Sequence, residues 1–355
     1  MREQVPKLDR RRLLQILASA PVMGGAPFAA LAADPQPDGT VLLVAGPDGG
    51  RLDHWAAVIA GALSRFLPAG TGLRKNAAGA VDGVTGANQF DARALPDGTM
   101  LLLVPGRAIL SWLAGDPRAR FDVASWVPVM AGVSPAVLVS RYSAADLRPG
   151  DRLRVAASSP SGPGLSAVLG LDLMGLKPEP VRGLNDPAAL RAALASGAVD
   201  AALIHGQRVP ERAVQWGDIG VRPLCTLGAV DTAGAAMRDP AFPDLPHVSE
   251  MATGLRGAPP SGPLYTAWRA SAAAARLDFA LVLPPLTPAA MVAMWRRAIS
   301  QITGTSEFRS VASADGVHTE ASAAATASTA ALAVDSEALT ALRGWLAARG
   351  DWRPA

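Results

Sequence analysis

The chain has 355 residues, with 33 Lys and Arg against 30 Asp and Glu, but five of those bases and only two of those acids fall in the first 33 residues. The rest of the chain therefore carries 28 of each sign and has no dense basic run with interleaved aromatics, which argues against nucleic acid or anionic lipid as a partner. A single cysteine, Cys225, excludes an intramolecular disulfide, and His54, His205, His247 and His318 are too scattered for a metal site, so neither metal nor cofactor is expected.

The first 33 residues read as a removable export signal. Asp9-Arg10-Arg11-Arg12-Leu13-Leu14-Gln15 is a twin-arginine pattern, followed by a weakly apolar stretch over 13–30 and the small-residue site Ala30-Leu31-Ala32. A membrane anchor needs about 20 mostly apolar residues, and Pro21, Gly24, Gly25 and Pro27 interrupt this run. The expectation is Tat export to the periplasm, with cleavage near Ala32 and Ala33.

Beyond the linker 34–39, apolar runs of strand length alternate with helical patterns. Residues 41–44 predict a buried strand, and Leu52, Trp55, Ala56, Ile59, Leu63 and Phe66 recur at helical spacing. A strand over 72–76 and a helix over 83–94 follow. Then come the turn Pro96-Asp97-Gly98, a strand over 100–104, a helix over 108–113, and strands over 127–130 and 136–139. The rhythm restarts with a strand over 153–157 and a helix over 165–176. Asn185-Asp186-Pro187 places an acidic cap before a proline at the first helical position. Its helix stops near Gly197, and strands over 201–204 and 221–227 come next. A strand over 279–283 and helices over 289–302 and 337–348 close the chain. The Ala/Thr/Ser-biased segment 322–333 fits either a surface helix or a mobile stretch. This is a βαβ rhythm of largely parallel sheets, broken into blocks that suggest two α/β lobes able to close on a ligand.

Three loops lie after a predicted strand and before a predicted helix, where open α/β sheets bind ligands. The first holds Pro47, Asp48, Gly49 and Gly50, with Arg51 and Asp53 just beyond. The second holds Ala78, Gly79 and Ala80 within 76–83. The third runs over 158–166 and offers Ser158, Ser159, Ser161, Gly162, Gly164 and Ser166. Glycines let backbone N–H groups approach a ligand, hydroxyls add donors, and a helix N-terminus favours an anion. Turn chemistry alone explains many such clusters; the repeated strand–loop–helix setting is what singles these out.

In this order the motifs resemble the substrate-binding proteins of tripartite tricarboxylate transporters, the TctC-like or Bug family. The resemblance rests on Pro47 to Asp53, Asn76 to Gly83, Pro96-Asp97-Gly98-Thr99, Ser158 to Ser166, Ser196-Gly197-Ala198-Val199-Asp200, Phe242-Pro243-Asp244-Leu245-Pro246 through Glu250, and Pro284-Pro285-Leu286-Thr287-Pro288. It implies a periplasmic-binding-protein-like, type II Venus-flytrap fold. Lobe one would span 34–138 and 257–355, and lobe two 139–256. The resemblance also implies a small organic acid as ligand, membrane transporter subunits as partners, a monomer, and no enzymatic activity. Asp53 would order the first loop rather than touch ligand. Asp200 closes a helix-to-strand turn, in a structural or a ligand role.

The sequence also departs from the family pattern. Asp48 replaces a usual glycine; it either faces solvent at the helix start or marks an amine-bearing or neutral ligand, and Arg51 could neutralise it. Thr99 replaces an aromatic, Arg182-Gly183-Leu184 replaces a Tyr-Lys pair, and some twenty residues around 264–277 look inserted. Tyr265 and Trp268, three apart on a helical pattern, read as packing residues rather than ligand platforms, and Arg141, near the inter-lobe crossing, reads as solvent-facing, with the cleft as the alternative. The sequence leaves two other functions open. One is a sensor acting on a signalling receptor. The other is an exported hydrolase, for which no G-x-S-x-G elbow is present.

Overall fold

The computed structural model describes residues 39–67, 72–231, 235–350 and 352. The twin-arginine segment and its cleavage site lie outside the described residues. Strands β1 (Val41–Val44), β2 (Arg74–Ala77), β3 (Met100–Val104) and β4 (Val127–Val133) belong to a six-stranded sheet with β12 (Leu277–Leu283) and β13 (His318–Ala321), in the order β13-β4-β12-β3-β1-β2. β1 and β3 are nearly continuous apolar runs because both of their faces are covered. Val41 sits across from Arg74 on one side and Met100 on the other.

The chain leaves this sheet through Ser134 and Pro135 and enters a five-stranded one. Its strands are β5 (Ala136–Ser140), β6 (Arg152–Ala156), β7 (Lys177–Val181), β8 (Ala201–His205) and β9 (Arg222–Thr226), in the order β7-β6-β8-β5-β9. A two-stranded ribbon, β10 (Ala229–Val230) with β11 (Ala236–Met237), comes after them. Side chains alternate across the five-stranded sheet. Val137, Val139 and Ile204 join one buried cluster, while Leu138 and Leu203 join the larger core shared with the first sheet.

Both sheets are mixed, which corrects the expectation of largely parallel sheets. β1–β2, β1–β3, β6–β7 and β6–β8 pair in parallel. Every pairing of β12, β13 and β5 is antiparallel. The reason is topological. β4 and β5 carry the chain out of one sheet into the other, and β12 brings it back, so these strands are not linked to their neighbours by the helical crossovers that parallel pairing needs.

The helices are α1 (Arg51–Leu63), α2 (Val84–Arg93), α3 (Gly106–Ala114), α4 (Gly164–Leu173), α5 (Pro187–Ala195), α6 (Val209–Gln215), α7 (Val248–Arg256), α8 (Pro263–Arg276), α9 (Ala289–Gly304), α10 (Ser306–Asp315), α11 (Ser322–Ala330) and α12 (Ser336–Ala347). α1 buries Trp55, Ile59 and Leu63, as its spacing predicts. Asp186 caps α5 by accepting the Ala189 N–H, with Pro187 at the first position. The ambiguous 322–333 segment begins as helix α11, packed against β4. α8 packs against α3, α4 and α12, and its alanines permit a close approach. The Ala274 carbonyl fills the space that a Cβ on Gly106 would need. Among the described residues no helix is long and apolar enough to cross a membrane.

Candidate functional site

A cavity of about 500 Å³ lies at the C-terminal ends of β6 and β8, with walls from elements of both sheets. One wall is the turn over 157–163 that leads β6 into α4. Its backbone is tightly wound: Gly162 N–H donates to the Ser159 carbonyl at 3.2 Å, and Ser161 N–H to Ser159 Oγ at 3.1 Å. A Cβ on Gly164 would lie 2.9 Å from the Ala157 Cβ, so glycine lets the helix start close against its strand. Two indoles pin the turn from beneath. Trp352 donates to the Ala157 carbonyl at 3.0 Å, and Trp268 to the Ser166 carbonyl at 3.1 Å. The hydroxyls of Ser158 and Ser161 line the cavity and have no hydrogen-bond partner among the described residues. The turn thus offers uncommitted donors at a helix N-terminus, an arrangement suited to an anion.

Elements of the six-stranded sheet supply the second wall: Asp82, Arg118, and Arg107 and Ser111 of α3. Arg118 is fully engaged. It donates to Asp116 from Nη2 at 2.7 Å and from Nε at 3.1 Å, and to Asp82 from Nη1 at 3.0 Å. Asp116 is buried, which pushes its pKa up, but the Arg118 hydrogen bonds outweigh this and hold its carboxyl below the usual range. The third wall comes from the end of β8 and from α6, with Leu203, His205 and Arg212, and from the start of α5, with Leu184, Asn185, Pro187 and Leu190. Arg212 donates from Nη1 to the His205 carbonyl at 3.0 Å. Loss of solvent pushes the His205 pKa down to about 4, and the charges of Arg107 and Arg212 push the same way. The ring is therefore neutral at neutral pH.

The sequence-selected residues divide sharply. Ser158, Ser159, Ser161, Gly162 and Gly164 line the cavity together. Ser166 does not: it is fully buried and its hydroxyl donates back to the Pro163 carbonyl at 2.7 Å. Pro47, Asp48, Gly49, Gly50, Ala78, Gly79 and Ala80 also lie outside the lining. Gly49 N–H donates to Asp53 Oδ2 at 3.2 Å, and Asp53 Oδ1 lies 2.6 Å from Lys75 Nζ. Ala78 N–H donates to the Val44 carbonyl. Arg51 reaches Asp278 at 2.7 Å and Asp315 at 3.5 Å. Asp200 sits at the opposite end of β8 from His205 and takes three hydrogen bonds from Arg154. Arg141 is exposed and lies against Gly197. Trp268 is buried and stacks on Tyr265 with ring centroids 5.6 Å apart.

Sequence reasoning missed Arg107, Arg118, His205 and Arg212. A usable signal existed for two of them. Pro105-Gly106-Arg107 and His205-Gly206 each stand at a strand's C-terminal end just before a helix, the position that singled out the three loops.

Two mixed sheets with helices on them, joined through β4 and β5, with a cavity walled by segments that adjoin each, make up the two-lobed fold of periplasmic solute-binding proteins. The chain shares this fold with a TctC solute binding protein from Polaromonas, at a TM-score of 0.64 and 17% identity over 87% of this chain and 98% of that one. MatC from Rhodopseudomonas palustris, with bound malate, aligns at 0.50 and 21% identity over 86% of this chain and 98% of that one. An R. palustris protein with adipate aligns at 0.50 and 18% identity over 89% and 98%. No protein-family model and no curated protein matches the sequence.

Proposed function

We propose that this chain is a divergent TctC-like, or Bug, solute-binding protein that captures a small organic acid outside the cytoplasm and hands it to the membrane subunits of a tripartite tricarboxylate-type transporter. One observation carries the reading. A cavity of about 500 Å³, walled by elements of both sheets, gathers unpartnered serine hydroxyls, a helix N-terminus and arginines. Its volume falls within the usual range of small-molecule sites. The malate and adipate held by two proteins of the same fold support a carboxylate as the ligand class.

Ser158, Ser159, Ser161, Gly162 and Gly164 form the acid cradle. Loops 47–50 and 78–80 shape the first lobe behind it. Ligand contacts made by both lobes exist together only when the lobes are closed, so the acid favours closure by mass action. No bond is made or broken, and the protein acts as a periplasmic monomer. The twin-arginine leader supplies the export route.

A thermal-shift screen of the chain without residues 1–33 against mono-, di- and tricarboxylates tests this. Specific binding raises the melting temperature, by the equivalent of about 2.7 kcal/mol at a hundredfold excess over Kd. No shift with any acid, together with turnover of an ester or amide substrate, would replace the binding protein with a hydrolase.

A further inference from the structure

The cavity holds two arginines that no carboxylate neutralises. Arg107 lies in the first turn of α3, after β3 of the six-stranded sheet, and Arg212 lies in α6, after β8 of the five-stranded sheet. Both line the same cavity. Among the described residues neither has an ion-pair partner, and the partners of Arg212 are the His205 and Gln207 carbonyls. Arg118 provides the contrast, since Asp116 and Asp82 together occupy its guanidinium. Arg107 is exposed and stays solvated, but Arg212 is half-buried, and an unpaired charge held away from bulk water is unfavourable. Burial pushes the Arg212 pKa down, which is the sign of that cost.

The uncommitted donors come from two parts of the cavity lining. One is the N-terminus of α4 with Ser158 and Ser161. The other is the Arg107–Arg212 pair beside a neutral His205. A monoacid offers one anionic group to the α4 turn and the two guanidinium groups together. We infer that Arg107 and Arg212 are the specificity-determining residues of this site: together they bind a second acid group of the ligand, one arginine from each lobe, and so select diacids over monoacids. Guanidinium groups suit this task because their planar donors match a carboxylate in pairs. The second acid group then joins the lobes directly, through a bridge of opposite charge that a monoacid cannot form.

This inference rests on the solute-binding reading and is separable from it. Titration calorimetry would compare succinate, glutarate and adipate with their monomethyl esters, which keep the length and lose one charge. In the unaltered protein at least one diacid should bind about tenfold or more tightly than its ester, the factor that corresponds to about 1.4 kcal/mol. Arg107→Gln and Arg212→Gln should each bring that ratio to within about twofold, by weakening the diacid and sparing the ester. Ser161→Ala should weaken diacid and ester alike and keep the ratio. Arg107 is exposed, so its variant keeps the test valid if Arg212→Gln does not fold. Equal affinity for diacid and ester in the unaltered protein overturns the inference but leaves solute binding intact. Equal weakening of both ligands by the arginine variants does the same. Binding of neither diacids nor esters overturns both.

Discussion

The loop at 47–50 and the loop at 158–164 are written in the same residues, glycine, proline and a polar group between strand and helix, yet they do different work. In the first, the charged side chains that follow the turn are consumed internally, while Asp48 itself is exposed and has no partner among the described residues. Asp53 takes the Gly49 N–H and the Lys75 ammonium, and Arg51 is held by Asp278 and Asp315. The second loop at 78–80 belongs with it: a Cβ on Gly79 would lie 2.7 Å from the Thr85 Cβ, and one on Gly86 would lie 2.5 Å from the Ala45 Cα. In the 158–164 loop the backbone is equally ordered, but the Ser158 and Ser161 hydroxyls remain unbound and face a cavity. A glycine-rich turn between strand and helix therefore marks close packing as readily as it marks a site. The distinction lies in whether its polar atoms already have partners.

The largest effect should come from forcing the two glycine types apart. Gly86→Ala pushes a methyl into the Ala45 backbone, which cannot swing aside, and should lower unfolding free energy by about 3 kcal/mol in a urea melt. Gly162→Ala meets nothing closer than 3.5 Å, and should change stability by less than about 1 kcal/mol.

The next effect separates the cavity from the frame by pH. His205 titrates near 6.5 when unfolded and near 4 in the fold, so below pH 6.5 the unfolded chain takes up a proton that the native chain refuses. Stability falls as the pH drops from about 6.5 towards 4, by at most about 3 kcal/mol. His205→Gln should flatten that slope relative to the unaltered protein, and an unchanged slope would remove His205 as its source.

Asp53 gives the opposite sign of control at the other loop. Its hydrogen bond to Lys75 holds the carboxyl below its ordinary pKa, against the upward push of burial. That stabilisation is present above an ordinary carboxylate pKa of about 4 and disappears as the pH falls through the lowered native value. Asp53→Asn should remove about 1–2 kcal/mol at neutral pH, with little effect on acid binding.

The smallest effect divides two serines of one loop. Ser161→Ala should weaken acid binding several-fold, the loss of one hydrogen bond of about 1 kcal/mol, and leave the melting temperature unchanged. Ser166→Ala should lower stability by a similar amount and leave binding unchanged, because its hydroxyl serves the Pro163 carbonyl.

Much of the frame was legible in the sequence for physical reasons. β1 and β3 are apolar throughout because both their faces are buried, and helix 289–302 carries its core residues at helical spacing up to Ile302. β7 was not legible. Lys-Pro-Glu-Pro-Val has two prolines and two charges, a composition that only an edge strand tolerates, and β7 is the edge of its sheet. β13 escaped for the same reason, as a short polar strand at the other sheet's edge. Of the cavity lining, the serine loop stood out in the sequence by its local chemistry. Arg107 and His205 carried a weaker local signal at their strand ends, and Arg212 carried none, since its place in the lining comes from elements about 100 residues apart meeting at one cavity.

The central claim is that a small acid binds between the lobes and touches both. Hydrogen exchange on the chain without residues 1–33, with and without the di- or tricarboxylate that raises its melting temperature most, tests it directly. The account predicts that the acid slows exchange both in the 158–166 turn and helix start and across 106–118. Protection confined to one of the two segments, or protection only around loops 47–50 and 78–80, would contradict it.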